Sequence, residues 1–143
     1  MEMPRSPGRA FVPPAAAVLA TAATLLLLDL AWLGVVARGL YRDALGGLMR
    51  EEALLPAAAL FYAFYVAVTA GWAALGAASK GDSARRGAGL GFVAYATYEL
   101  TNWAVIRDWP ALLVPIDVGW GVILTAVSAL AGRAAHDAVR GAR

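Results

Sequence analysis

The sequence predicts an all-α integral membrane protein, an up-down bundle of four helices with both termini in the cytoplasm. Of its 143 residues, 61% are hydrophobic, whereas a soluble domain is about 45–50% apolar. The mean hydropathy is +0.64. Four apolar segments match the roughly 20 residues that cross a bilayer core. These expected spans cover residues 13–37, 55–78, 87–106 and 111–132.

The first two spans are expected to begin at prolines, because the first turn of a helix makes no use of the N–H that proline lacks. Pro13 and Pro14 open the first span and Pro56 the second. Residues 1–12 are polar and predict a disordered tail. The first apolar core is longer than the roughly 7–15 residues of a signal peptide, and no clean cleavage site follows it. This segment is therefore expected to remain as a membrane helix.

The remaining segments complete the predicted bundle. Residues 38–54 predict either a short helix in the membrane interface, with Tyr41 on its apolar face, or an ordinary polar loop. Gly87 and Gly91 of the third span are four residues apart, which lets helix backbones approach closely. After the fourth span, residues 133–143 predict a cytoplasmic tail.

The basic residues set the predicted orientation, because cytoplasmic loops of membrane proteins are enriched in lysine and arginine. Eight of the twelve basic residues fall on the side of the termini and four on the other side. Alanine, glycine and arginine are abundant and lysine occurs once, which indicates a GC-rich bacterial genome. The protein is therefore expected in a bacterial inner membrane.

Acidic residues occur at one depth in three of the spans. Asp29, Glu99 and Asp117 each lie seven or eight residues from the outer end of a span, which is roughly 9–14 Å below the outer boundary. Tyr62 and Tyr65 lie at the same level of the second span. Since an unpaired carboxylate facing lipid costs at least about 2.5 kcal/mol, these side chains are expected to face protein or trapped water.

Further polar side chains share helix faces with the acids, at spacings of three, four or seven residues. We expect one pocket, with phenol, amide and indole groups that donate to the carboxylates. The candidates for ligand binding or proton relay are Asp29, Trp32, Tyr62, Tyr65, Tyr95, Tyr98, Glu99, Asn102, Asp117 and Trp120. Tyr41, Trp103 and Trp109 are assigned to the interfacial aromatic belt.

No lysine or arginine falls inside the four spans. Three ionised carboxylates in a low dielectric repel one another and lose hydration. At least one or two are therefore expected to be protonated or neutralised by a bound cation. Alternatively, the same residues form hydrogen bonds between helices and have no ligand.

Two pairs of short motifs recur along the chain. The sequence DLAW at residues 29–32 resembles DVGW at 117–120, and YAFY at 62–65 resembles YATY at 95–98. Paired motifs in antiparallel helices are typical of inverted repeats in transporters, whose sites lie near the membrane midplane. In so biased a composition they also arise by chance.

Several functional classes are disfavoured by composition. Cysteine is absent and the single histidine, His136, lies in the polar tail, so no metal site and no cofactor are predicted. The basic residues are spread between the apolar segments rather than clustered, which argues against nucleic acid as a partner.

Four stretches together resemble one family of small bacterial membrane proteins, domain of unknown function 2177. They are residues 29–48, 56–67, 94–102 and 109–121, and they follow the family order along the chain. The resemblance implies four membrane helices and no established activity. It also implies that Glu99 stands where the family more often has aspartate, so its carboxyl group reaches one carbon further.

Three functions remain open from the sequence. The first is binding or transport of a proton, cation or small polar solute, and a homodimer would enlarge the small interior of four helices. The second is a metal-independent enzyme for a lipid or other apolar substrate, with Glu99 or Asp117 as general acid. The third is an assembly subunit of a larger membrane complex. In each case the lipid bilayer surrounds the protein and is its principal partner.

Overall fold

The computed structural model describes residues 7–142, which form five α-helices and no β-strand. The helices are α1 (Pro7–Ala31), α2 (Arg38–Leu45), α3 (Leu55–Val68), α4 (Lys80–Val105) and α5 (Leu113–Gly141). Wider π-helical turns continue α1 over Trp32–Val36 and α3 over Thr69–Leu75. A 3-10 turn over Gly46–Leu48 follows α2. The all-α prediction is confirmed for these residues.

Three helical segments are long and apolar enough to cross a membrane: Val12–Val36, Leu55–Leu75 and Leu113–Gly141. They contain most of the first, second and fourth predicted spans. The third predicted span lies in α4, which has 26 residues but is not among the three that qualify by length and composition. Large apolar side chains point outward along the helices, as expected of surfaces that contact lipid; among them are Leu19, Val35, Leu60, Phe64 and Val105.

Within residues 7–142, the first and last helices extend further toward the termini than the sequence predicts. Helix α1 begins at Pro7, so Pro13 and Pro14 lie inside it and not in its first turn. Residues 1–6 of the expected tail lie outside the described residues. Helix α5 continues to Gly141, through most of the expected C-terminal tail. Its 29 residues are about 43 Å long, which exceeds the bilayer core of about 30 Å.

Helix α4 packs closely against α5 through two glycines. A β-carbon at Gly87 would collide with α5 near Thr125 and Ala129, and one at Gly91 would collide with the backbone of Gly121. The close approach that the glycine spacing predicts is therefore observed. Because the later glycine of α4 meets the earlier residue of α5, the two helices are antiparallel.

Helix α1 lies against α5 in the opposite direction as well. Thr21 contacts Gly132 near one end of the interface, and Asp29 reaches Trp120 near the other. Later residues of α1 thus contact earlier residues of α5. This places the C-terminal end of α1 beside the N-terminal part of α5.

Helix α3 and its π-helical continuation run parallel to α5. Tyr65 bonds to Thr125, and further along both helices Ala74 contacts Gly132. The central level of the interface is apolar, where Leu25, Val66 and Leu124 are buried with the ring of Tyr65. α5 therefore contacts α1, α3 and α4, and carries residues toward all of them.

Polar groups fix the connection between the π-helical turn after α3 and the start of α4. The Ser79 hydroxyl caps α4 by accepting from the Asp82 backbone N–H at 3.1 Å. The Asp82 carboxylate accepts from the Ala78 N–H at 2.9 Å and pairs with Arg86 at 3.0 Å. The Ala78 N–H, together with the nearby arginines, holds the pKa of Asp82 below its ordinary value.

Candidate functional site

Asp29 is held near the end of α1 by two neutral donors. The Tyr62 hydroxyl of α3 donates to Oδ2 at 2.6 Å, and the Trp120 indole of α5 donates to Oδ1 at 3.2 Å. Asp29 is only 5% exposed. Its carboxyl group therefore links three helices, and both of its oxygens have a hydrogen-bond partner.

Asp117 of α5 accepts a hydrogen bond from a side chain in the segment that joins α1 to α3. Tyr41 of α2 donates its hydroxyl proton to Asp117 and accepts the indole N–H of Trp32 at 3.3 Å. The Trp32 ring stacks on Trp120, with centroids 4.5 Å apart and planes 9° from parallel. The stacked indoles thus connect the surroundings of Asp117 with those of Asp29.

Glu99 of α4 is fully buried, and one of its oxygens is unpaired. Oε2 accepts the indole N–H of Trp109 at 2.9 Å. Oε1 has no hydrogen-bond partner among the described residues. Asp117 lies within hydrogen-bonding reach, and the two carboxyl groups can bond to each other only when one of them is protonated. Two adjacent buried carboxyl groups resist ionising together, so one proton or one positive charge is easily accommodated here.

We refer to Asp29, Glu99 and Asp117 as the acid layer. Within the part of the chain that the structure describes, no basic side chain pairs with any of them. The arginine ion pairs found there lie toward the other end of the helices, at Asp82 and between Arg133 and Asp137. Phenol and indole donors are thus the polar contacts of the acid layer.

The acid layer does not form a metal-binding cage. In residues 7–142, no three acidic or histidine side chains are grouped closely enough to hold a metal ion. Aromatic rings separate Asp29 from the other two acids. Ca²⁺ takes six to eight oxygen ligands, and Mg²⁺ requires near-octahedral coordination by oxygen. The geometry is better suited to a proton or a single positive charge.

Two of the predicted tyrosines are interior but bind no carboxyl group among the described residues. The hydroxyls of Tyr65 and Thr125 are 2.7 Å apart, and either can be the donor. Thr125 also donates to the Gly121 carbonyl at 2.7 Å. Tyr95 packs its ring where a β-carbon of Gly121 would lie, within electrostatic reach of the acid layer.

Two other predicted residues do not join the acid layer. Tyr98 is 56% exposed, and its ring meets that of Trp109 edge-on at 6.0 Å. Asn102 lies beside Tyr98 and makes no hydrogen bond to a carboxyl group of the described chain. At about 100° per residue, Tyr98, one position before Glu99, is rotated away from it by about 100°. The expectation that both donate to the carboxylates is therefore wrong.

Two residues that the sequence assigns to the interfacial belt, Tyr41 and Trp109, instead contact acids. Helix α2 carries Tyr41 back over the site, so the helical alternative for residues 38–54 is the observed one over Arg38–Leu45. Trp109 is turned back by Asp108, whose φ of 59° is left-handed and is tolerated by aspartate. The sequence contains a signal for these contacts, because Tyr41 and Trp109 each lie within about a dozen residues after an acid in a predicted span.

The two Asp-x-x-Trp motifs meet in the structure. Trp120 of the second motif donates directly to Asp29 of the first. Trp32 of the first motif reaches Asp117 of the second through Tyr41. This exchange, with the two indoles stacked between, is the contact expected of an inverted repeat, and the duplication itself stays a prediction.

A family model for domain of unknown function 2177, described as a predicted membrane protein, matches residues 15–134 of the chain. The matched range includes every predicted site residue and the three aromatic residues that the sequence assigns to the belt. No curated protein and no solved structure matches the chain.

Proposed function

The chain belongs to the domain of unknown function 2177 family of membrane proteins, and we propose that it binds a proton or a small cation in its acid layer. Glu99 and Asp117 share the positive charge in this proposal. Asp29 is the ionised member that stays bonded to its two donors. Binding and release at this pair would be the elementary step of transport.

In this proposal, α1, α3, α4 and α5 all cross a bacterial inner membrane, with both termini in the cytoplasm. The division of basic residues, eight to four in favour of the side of the termini, supports this orientation. The close packing of α4 against α5 supports α4 as a membrane span, because its acid then faces protein and not lipid. The acid layer lies in the outer half of the membrane.

One observation carries the proposal: Glu99 is completely buried, uses one oxygen, and has a second carboxyl group beside it. A glutamate kept only to join helices is expected to have both oxygens bonded, because an unsatisfied buried polar atom costs about 1–3 kcal/mol. An incompletely bonded acid pair is what a site needs in order to gain and lose a positive ligand.

The test is the titration of Glu99 in purified protein held in lipid nanodiscs. Infrared difference spectra between acid and neutral pH report the carbonyl stretch of protonated carboxyl groups, and the fluorescence of Trp109 reports the state of its partner. We expect the Glu99→Gln variant to lose a carboxyl band and most of the pH-dependent fluorescence change. The matched control is Glu51→Gln, which changes an exposed glutamate after α2.

The same samples measure cation binding. We expect alkali cations or a small organic cation to shift the fluorescence of the wild type and of Glu51→Gln, but not that of Glu99→Gln, if a cation can replace the proton. The proposal is wrong if Glu99→Gln titrates like the wild type. It is also wrong if Glu99→Gln fails to accumulate while the control accumulates, since Glu99 would then be a structural link between helices.

A further inference from the structure

A second group of polar side chains lies inside the protein, apart from the acid layer. Its members are serine and threonine residues that are fully buried and whose hydroxyl oxygens have no hydrogen-bond partner among the described residues. In membrane helices such hydroxyls usually bond to the carbonyl four residues earlier, as Thr125 does to Gly121. We call this set the inner hydroxyl group: Thr21, Thr69, Ser83 and Ser128.

The inner hydroxyl group lies on the cytoplasmic side of the Tyr65–Thr125 hydrogen bond in the proposed orientation. Because α3 and α5 run parallel, residues one turn further along either helix lie on the same side of the Tyr65–Thr125 pair. Thr69 lies one turn after Tyr65, and Ser128 lies one turn after Thr125. The two orphaned hydroxyls therefore follow the Tyr65–Thr125 pair at one level.

The other two members continue in the same direction. Thr21 of α1 contacts Gly132, which is one turn beyond Ser128 on α5. Ser83 of α4 is one turn before Gly87, which itself packs against α5. From the Tyr65–Thr125 pair toward the cytoplasmic end of the helices, all four long helices thus contribute one hydroxyl each.

An apolar level separates the inner hydroxyl group from the acid layer. Leu25 lies one turn from Asp29 on α1, and Leu124 fills the corresponding level of α5. Tyr65 and Thr125 are the polar groups at this level. Tyr65 is also within electrostatic reach of Asp29. Their hydroxyls therefore interrupt the apolar level beside the two leucines.

We propose that the Tyr65–Thr125 pair and the inner hydroxyl group form a proton path between the acid layer and the cytoplasmic face. This inference rests on the proposed function and identifies its ligand as the proton. A hydroxyl relays a proton by accepting one on its oxygen and releasing its own to the next oxygen, so each group ends unchanged. Unpartnered buried oxygens are also the positions where bridging water bonds.

The packing along this path selects against larger ligands. Thr21 and Gly132 are in direct contact, and the methyl group of Ala74 lies next to Gly132 as well. A proton passes along hydroxyl oxygens and the water that bridges them, whereas a hydrated cation needs an open channel. The path is therefore specific for protons by its size and by its hydroxyl chemistry.

The experiment measures proton flux in proteoliposomes that contain a pH-sensitive dye and are clamped with valinomycin and potassium. We expect the wild type to dissipate a pH gradient at least tenfold faster than empty vesicles. Tyr65→Phe and Thr125→Val, which remove a hydroxyl and keep the shape, should lower that flux at least tenfold. Thr125→Ser keeps the hydroxyl and should restore it, and Tyr98→Phe is the control at an exposed ring.

The outcomes separate this inference from the proposed function. If Glu99 titrates in the infrared assay but Tyr65→Phe and Thr125→Val conduct like the wild type, the path is wrong and the acid site stands. The path is equally wrong if wild-type vesicles are no faster than empty ones. If Glu99 does not titrate, the proposed function is wrong, and the proton path that rests on it is wrong as well. A flux that Thr125→Ser restores and Thr125→Val abolishes supports the path, because a purely structural role would move folding yield and not flux alone.

Discussion

Replacing Tyr62 with phenylalanine removes one of the two hydrogen bonds to Asp29 and leaves the ring in place. The lost bond is 2.6 Å long, and its acceptor is 5% exposed. Both Asp29 oxygens accept donors, and in the proposed function this acid is the ionised member of the acid layer. A hydrogen bond to a charged group contributes about 1.5–3 kcal/mol. A neutral polar pair between membrane helices contributes about 0.6 kcal/mol on average.

The coupling energy between the two residues therefore reports the charge of Asp29. We expect a double-mutant cycle of Tyr62→Phe and Asp29→Ala to give a coupling of about 1.5–3 kcal/mol. The assay is reversible unfolding in mixed micelles with increasing sodium dodecyl sulfate, followed by tryptophan fluorescence. Tyr98→Phe is the matched control, because its ring is 56% exposed, and its effect should stay within about 0.5 kcal/mol.

A coupling of about 0.6 kcal/mol would show that Asp29 is neutral. The division of charge within the acid layer, with Asp29 ionised and the proton held by Glu99 and Asp117, would then be refuted. A coupling near zero would refute the hydrogen bond itself. The single Tyr62→Phe variant cannot make this distinction, because the changed solvation of the ring and the Asp29 oxygen left without its donor both enter the same measurement.

Two further predictions concern the packing and the connection before α4. Gly91→Ala should destabilise the protein by about 1–3 kcal/mol through collision with Gly121, whereas Gly89→Ala, with open space around it, should be neutral or slightly stabilising in the same unfolding assay; equal effects would contradict the close packing. Asp82 has a lowered pKa in the folded state, so its stabilising contribution is complete above the ordinary carboxyl pKa of about 3.9 and is lost as pH falls through the lower folded value. Wild type should therefore lose more stability than Asp82→Asn on acidification across this window, and identical pH profiles would rule out that contribution.

Hydropathy was sufficient to predict the helical membrane class, because each long apolar segment has to satisfy its own backbone hydrogen bonds in lipid. It was less informative about α4, whose apolar and polar residues are mixed. The position of α4 follows from its fit against α5 at Gly87 and Gly91. The glycine spacing indicated a close contact but did not identify the partner helix.

Residue counts from the ends of the spans predicted a common depth for Asp29, Glu99 and Asp117, and in the structure each of the three accepts a hydrogen bond from a neutral donor. The hypothesis of one shared face around Glu99 was too broad, because Tyr98, one position away, is rotated by about 100°. Tyr98 is therefore exposed. Spacing along one helix reports the angle of a side chain but not the reach of a neighbouring element.

The amino-acid sequence by itself determined that this chain is helical, lives in a membrane and carries acids without bases in its apolar segments. Those properties depend on local composition and on the period of a helix. Only the tertiary structure decided which donors meet the acids, because Tyr41 and Trp109 arrive from connections whose direction depends on a short helix and on one left-handed residue. It also decided which hydroxyls stay unbonded, since the distance between two helices is set by all the side chains packed between them.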